Sequence, residues 1–144
     1  MPGELIASFL WAQLEEAEGI TEKRLAIWQY YHDNLKSVEL AGLIRRPSVP
    51  EDIGHNAHMY YILLPLERDR KQVLDKFHEN GISAVFHYVP LHSSPAGKKF
   101  GVMNGELENT NILSEKIIRL PLYIGLTIEQ QDLIINILSD LQEV

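Results

Sequence analysis

Short extended runs closed by prolines, set between helical stretches, constrain this chain more than any other feature. The run HMYYILLPL (58–66) is dense in aromatic and aliphatic residues and is ended by Pro65, so it reads as a strand. Ser83 to Val89, ended by Pro90, reads as a second strand, and IIRLPL (117–122) as a short extended third. Between the first two, Asp69 opens a helix in which Val73, Leu74 and Phe77 are spaced for burial. Gly81 stands where a left-handed C-cap closes it. After a long loop, Leu107 to Ile117 reads as a helix. Thr127 with Gln130 three residues on predicts a capping box for the last helix. Its apolar stripe is Leu133, Ile134, Ile137, Leu138 and Leu141.

The first third of the chain is helical in pattern. Leu5, Ile6, Phe9, Leu10, Gln13, Leu14 and Ala17 follow the helical period, while Ala7, Trp11 and Ala12 lie off it. A helix apolar over so much of its circumference is normally covered from more than one side, so a partner surface is expected. Gly19 interrupts or kinks the pattern. Thr21 is placed to cap a second segment through about Lys36, with Leu25, Trp28, Tyr31 (or His32) and Leu35 on one face. Residues 37–57 hold Gly42, Pro47, Pro50 and Gly54 and read as an irregular connection, with a short edge strand at Leu43 to Arg45. The order implies an α/β (or α+β) layer, a few-stranded sheet covered by helices on one face.

At 144 residues the chain suits one domain with a real core. A net charge of -7 disfavours nucleic acid as a partner, because backbone phosphates are bound by clustered Lys and Arg. No apolar run approaches the roughly 20 residues that span a bilayer, so no membrane is expected. Met-Pro-Gly-Glu lacks the basic start of a signal peptide. The absence of cysteine removes disulfides and thiolate chemistry, and a cytoplasmic setting is expected.

The stretch AVFHYVPLHSSPAG (84–97) looks chosen for chemistry. Strand alternation puts Phe86 and Tyr88 on one face and Val85, His87 and Val89 on the other, which is expected to be buried or to line a cleft. His92 follows the proline break. The five-residue separation of His87 and His92 fits neither a helical nor a strand metal pair, so no metal is expected, and both structural and pocket-lining roles remain. In GHNAHMYY (54–61), His58 and Tyr60 are candidates for the same cleft, although Tyr60 and Tyr61 also suit a strand simply as strand formers. PAGKKFG (95–101) lacks the earlier glycine and the following Ser or Thr of a phosphate loop.

FLWAQLEEAEGITEKRLAIWQYYHDNL, HNAHMYYILL, AVFHYVPLHSSPAG and RLPLYIGLTIEQQDLI, in this order, resemble the C-terminal part of DegT/StrS-type nucleotide-sugar aminotransferases. The resemblance covers essentially the whole chain. It implies the C-terminal small domain of a type I pyridoxal-phosphate transferase fold, active as a homodimer. The implied reaction moves an amino group from glutamate to a nucleotide-linked 4-keto-6-deoxy sugar. It places His87, Tyr88 and His92 beside the substrate, as groups that bond and orient it. It also implies that the cofactor-binding large domain lies before Met1, and that PGEL (2–5) is the tail of a motif whose upstream half is absent. Transamination needs a lysine with a lowered pKa. Lys23, Lys36, Lys71, Lys76, Lys98, Lys99 and Lys116 all sit in loops or on polar helix faces. Pyridoxal phosphate is therefore expected in the full-length family but not on this chain alone, which is expected to be inactive. The alternative is a free-standing α/β binding or regulatory module. A homodimer, or association through the apolar first helix, is expected.

Overall fold

The structure, a computed structural model, describes residues 3–143, with side chains described through Leu141. Pro2 of the PGEL stretch lies outside the described residues. The chain opens with helix α1 (Glu4–Glu15), breaks at Glu16, and continues as α2 (Ala17–Asn34) and α3 (Lys36–Leu40). Strand β1 (Tyr60–Leu63) and helix α4 (Arg70–Glu79) follow, then a 3-10 turn (Leu91–Ser93), α5 (Pro95–Phe100) and α6 (Glu108–Lys116). Strand β2 (Ile117–Leu120), α7 (Ile128–Ser139) and a closing 3-10 turn complete it.

The sheet is small and antiparallel, with Tyr60 opposite Leu120 and Ile62 opposite Ile118. These four side chains are buried on one face, and α2, α4 and α7 close over them with Trp28, Tyr31, Leu35, Val73, Phe77, Ile134 and Leu138. Burying each large aliphatic or aromatic group contributes roughly 1.5–3 kcal/mol, so this face holds the layers together. Polar bonds fix the layers as well. Tyr31 Oη donates to Pro121 O at 3.1 Å, and the buried Gln131 donates to Ile27 O at 3.0 Å.

Each edge of the sheet extends by one bridging residue only. Arg45 exchanges two backbone bonds with Leu63, and Val85 exchanges two with Arg119. In an antiparallel ladder the next such pairs lie two residues away. From Arg45 they would need Pro47 and Pro65, neither of which has an N–H to give. From Val85 they would need Pro121 on one side and Ile117 on the other, whose N–H is already bonded to Leu113 O at the end of α6. The strand expected over Ser83–Val89 is therefore a single bridge, and its alternation fails. Val85 and Val89 are exposed, His87 is half-buried, and Ile82 and Ala84 are the buried residues.

Two further expectations give way to local chemistry. Thr21 caps nothing: it lies inside α2, where its hydroxyl donates to Ala17 O at 2.8 Å, and Gly19 is accommodated in the same helix. Helices α3 and α5 arise in segments read as loop, α5 because Ser94 accepts from Gly97 N–H and Pro95 occupies the first helical position. The other two expected N-caps form. Asp69 accepts from Lys71 N–H at 2.8 Å, and Thr127 and Gln130 cap each other. Gly81, at φ 72°, closes α4 in a Schellman turn, its N–H bonded to His78 O and that of Ile82 to Phe77 O.

Helix α1 stands apart. None of its residues is buried, and Leu5, Phe9 and Trp11 are 89%, 71% and 67% exposed. No helix of the described residues is long and apolar enough to cross a membrane.

Candidate functional site

The stretch 84–97 leaves the sheet at Val85 and runs out over α6. Phe86 lies beneath the guanidinium of Arg70, 5.3 Å from Cζ to the ring centroid, and Arg70 in turn donates to Ser114 O in the last turn of α6. A cleft of about 270 Å3 opens here, its lining including Arg70, Phe86, Tyr88, Ser93, Asn111 and Glu115. A neighbouring trench of about 400 Å3 shares Arg70, Phe86 and Glu115 and adds Asp69, Lys71 and Lys116.

Beyond the cleft the chain braces itself locally. Ser93 Oγ donates to Pro90 O at 3.1 Å and Ser94 Oγ to Leu91 O at 2.8 Å, while Ser94 Oγ accepts from Gly97 N–H at 3.0 Å. Gly97 makes the knot possible, since a Cβ there would sit 1.6 Å from Leu91 O. His92 is tied across to α6, its Nε2 2.7 Å from Asn111 Oδ1. The His87 ring meets the Tyr88 ring edge-on at 4.6 Å, and His87 Nδ1 is buried with no partner. Tyr88 itself is 73% exposed. A surface stretch without a buried side chain from Val85 to Phe100 is thus held in shape by short-range bonds.

Of the sequence candidates Tyr88 lines the cleft, His87 and His92 flank it in the chain without lining it, and the other two lie elsewhere. Tyr60 shares the inward parity of Ile62, so it enters the core, fully buried against Trp28 at 5.3 Å and Tyr31 at 5.2 Å. It does not face the cleft of residues 86–92. Its hydroxyl has no partner, and burial pushes the phenol above its ordinary range. His58 is exposed in the loop before β1, positioned by its backbone: Arg24 donates to His58 O at 2.6 Å and to Ala57 O at 3.1 Å. Sequence reasoning missed Arg70 and Asn111. Both lie on helices 14 residues outside the stretch 84–97, one on either side, and no local spacing marks them.

A larger cavity, about 550 Å3, lies at the opposite edge of the sheet, where His32, Glu39, Arg45, Arg46, Ser48 and Tyr61 line it. Arg46 bonds both Glu39 oxygens at 2.7 Å and reaches His32 O. Burial raises the Glu39 carboxyl, but the Arg46 bonds and charge outweigh it and hold it below the usual range. His32, stacked on Trp28 at 4.6 Å, is held below its ordinary 6.5 by burial first and the Arg46 charge second.

No three metal-ligating side chains converge among the described residues. Nor does any lysine suit imine formation with a pyridoxal cofactor. No lysine is buried, Lys71 is paired with Asp75 and has its ammonium favoured, and Lys116 donates to Arg68 O. None provides the desolvated amine that imine chemistry needs.

Comparison with known proteins matches the fold as a whole. Residues 3–139 match the DegT/DnrJ/EryC1/StrS aminotransferase family. A dTDP-3-amino-3,4,6-trideoxy-alpha-D-glucose transaminase of Micromonospora megalomicea is 26% identical over 92% of this chain and 35% of its own. Among solved structures, S. venezuelae DesV in complex with a ketimine intermediate superposes with a TM-score of 0.81 at 25% identity, over 96% of this chain and 36% of that one. A DegT DnrJ EryC1 StrS aminotransferase from Brucella abortus gives 0.79 at 26% identity, over 94% and 34%. The chain spans about a third of the length of these relatives. The α/β architecture, a two-stranded sheet under helices, is that of the matching part of sugar aminotransferases. With the match running from Gly3 through Ser139, the chain belongs to the DegT/DnrJ/EryC1/StrS aminotransferase family.

Proposed function

We propose that residues 1–144 form a single small domain, the C-terminal, substrate-side part of a pyridoxal-phosphate-dependent sugar aminotransferase. The reaction moves an amino group from glutamate to the keto carbon of a nucleotide-linked 4-keto-6-deoxy sugar. Within the family, the wording of HNAHMYYI and VFHYVPLH is most like a dTDP-4-amino-4,6-dideoxygalactose-forming transaminase of enterobacterial common antigen synthesis. The single observation that carries the reading is the braced stretch 84–97. An exposed segment held by its own bonds beside a cleft is what substrate positioning requires, because a preorganised wall loses less ordering entropy on binding. In this reading His87, Tyr88 and His92 bond and orient the sugar nucleotide, and His58 borders the same site when the enzyme is complete. Tyr60 supports β1 from the core. The cofactor and its lysine belong to a separate cofactor-binding part. The exposed apolar face of α1 packs against that part in a homodimeric enzyme. Alone, the chain is inactive.

The test is reconstitution. The chain is co-expressed with the cofactor-binding portion of a family member, and amino transfer from glutamate to a dTDP-4-keto-6-deoxy sugar is assayed. Activity should appear only in the complex. His87→Ala and His92→Ala should each raise KM for the nucleotide sugar by roughly ten-fold, the scale of one lost hydrogen bond, with a smaller change in kcat. A complex that forms without activity, or activity indifferent to both substitutions, would favour a binding module instead.

A further inference from the structure

We propose that Asn104 is a site of spontaneous covalent modification, where the folded chain converts an asparagine into an aspartyl or isoaspartyl residue. Of the asparagines in the sequence, Asn80 and Asn104 alone precede a glycine. In such a pair the glycine nitrogen can close a five-membered ring on the asparagine carboxamide. Glycine has no Cβ to block the approach, and its backbone turns freely. The two pairs are alike in sequence, and the fold sets them apart.

Asn80 is locked on both reacting sides. Its Nδ2 donates to Lys76 O at 2.9 Å, and the Gly81 N–H, the group that would attack, is bonded to His78 O at 3.0 Å. Ring closure needs the attacking nitrogen and Cβ nearly eclipsed about the Cα–C bond. The turn that closes α4 holds Asn80 at ψ 15°, where they stand far apart. Asn104 has none of these restraints. It lies in the connection between α5 and α6, where residues 102–106 make no hydrogen bond among the described residues. The bonds that bracket it are Gly101 N–H to Gly97 O and Asn111 N–H to Leu107 O. The side chains before it face water, Val102 at 99% and Met103 at 55% exposure. Gly105 has φ 75° and open space around the position a Cβ would take. A segment with neither bonds nor buried contacts reaches the closing geometry at little cost.

In the reaction the Gly105 nitrogen gives its proton to hydroxide and bonds Asn104 Cγ, the Cγ–Nδ2 bond breaks, and ammonia leaves. Water then opens the succinimide at one carbonyl or the other, leaving an aspartyl or an isoaspartyl link. Nothing is oxidised or reduced, and water is the only co-reactant consumed. The product adds one negative charge to the -7 of the chain. The proposal is independent of the reading of 84–97 as a substrate wall.

The test ages the 144-residue chain at mildly alkaline pH and maps its peptides by mass spectrometry, with fragmentation that separates aspartyl from isoaspartyl links. Asn104 should be lost at least about ten-fold faster than Asn80, since one net hydrogen bond alone is worth that factor. In urea, where both pairs are free, the two rates should converge. Asn104→Gln, an exposed change that leaves the fold intact, should abolish the acidic species formed by the folded chain. Equal rates at the two sites in the folded chain would overturn the proposal, as would faster loss at Asn80. So would an Asn104 that stays intact in the folded chain while it reacts in urea.

Discussion

Tyr31 and Tyr60 occupy the same core 5.2 Å apart, yet their hydroxyls have opposite fates. Tyr31 Oη donates to Pro121 O, so Tyr31→Phe should cost about 1 kcal/mol in urea unfolding. Tyr60 Oη is buried and unpartnered, so Tyr60→Phe should be neutral or stabilise by up to about 1 kcal/mol. Equal losses for both would contradict the assignment. Gly97→Ala should force the Leu91 carbonyl away, a strain of about 1–3 kcal/mol. Because α5 buries no side chain, the damage should show as lost amide protection over 91–101 with α2 and α7 unaffected. The acid side of the stability curve follows from His32, whose neighbours Arg46, Asp33, Glu39 and His55 set its local field. A lowered folded pKa means the unfolded chain binds more protons, so stability is full above 6.5 and declines as pH falls below it. Glu39 adds a second loss below 4.5, where its bonded carboxylate must be protonated. His32→Gln should flatten the first decline in urea titrations and leave the second. Tyr60 was legible as a strand former, and that reading holds; its alternative place in the cleft does not, because the run of residues alone does not say which face meets the helices.

At the scale of elements, caps other than Thr21 were legible and ladders were not. Asp69, Gly81 and the Thr127–Gln130 pair each act within four residues, so their chemistry is complete in the local sequence. Thr127→Ala should lower stability by about 1 kcal/mol, seen as an earlier thermal midpoint with α7 amides losing protection first. The Ser83–Val89 run failed as a strand because its extension depends on two distant groups, Pro121 and the Ile117 N–H held by α6. Arg70 and Asn111 escaped notice for the same reason, since the cleft they line is assembled from α4, α6 and 84–97. Helix α1 fits its apolar circumference: it is uncovered on every side in the chain alone. Of the two tryptophans, Trp28 is buried and Trp11 is exposed, bonded only to Glu15 at 3.0 Å. Acrylamide should therefore quench one component of the emission, and Trp11→Phe should remove that component. Binding of the cofactor-binding part should protect it, and a Trp11 insensitive to quencher in the isolated chain would contradict the exposed helix.

For the whole molecule, the layer of helices over a small sheet follows from the alternation of short proline-limited strands with capped helices, and the matching structures carry the same architecture. In the proposed reading the chain contributes a shaped wall to the chemistry: Arg70 and Lys116 supply cations, the histidines orient the substrate on a braced loop, and no lysine of the chain is buried to carry an amine through an imine. This division of labour is the central claim, and absorbance tests it most directly. The purified chain is incubated with pyridoxal phosphate, alone and with the cofactor-binding portion of a family member, then gel-filtered. The account predicts a retained visible band only in the complex, bleached by glutamate and fixed by borohydride on a lysine of the other part. A retained band on the isolated chain, fixed by borohydride to one of its own lysines, would contradict it.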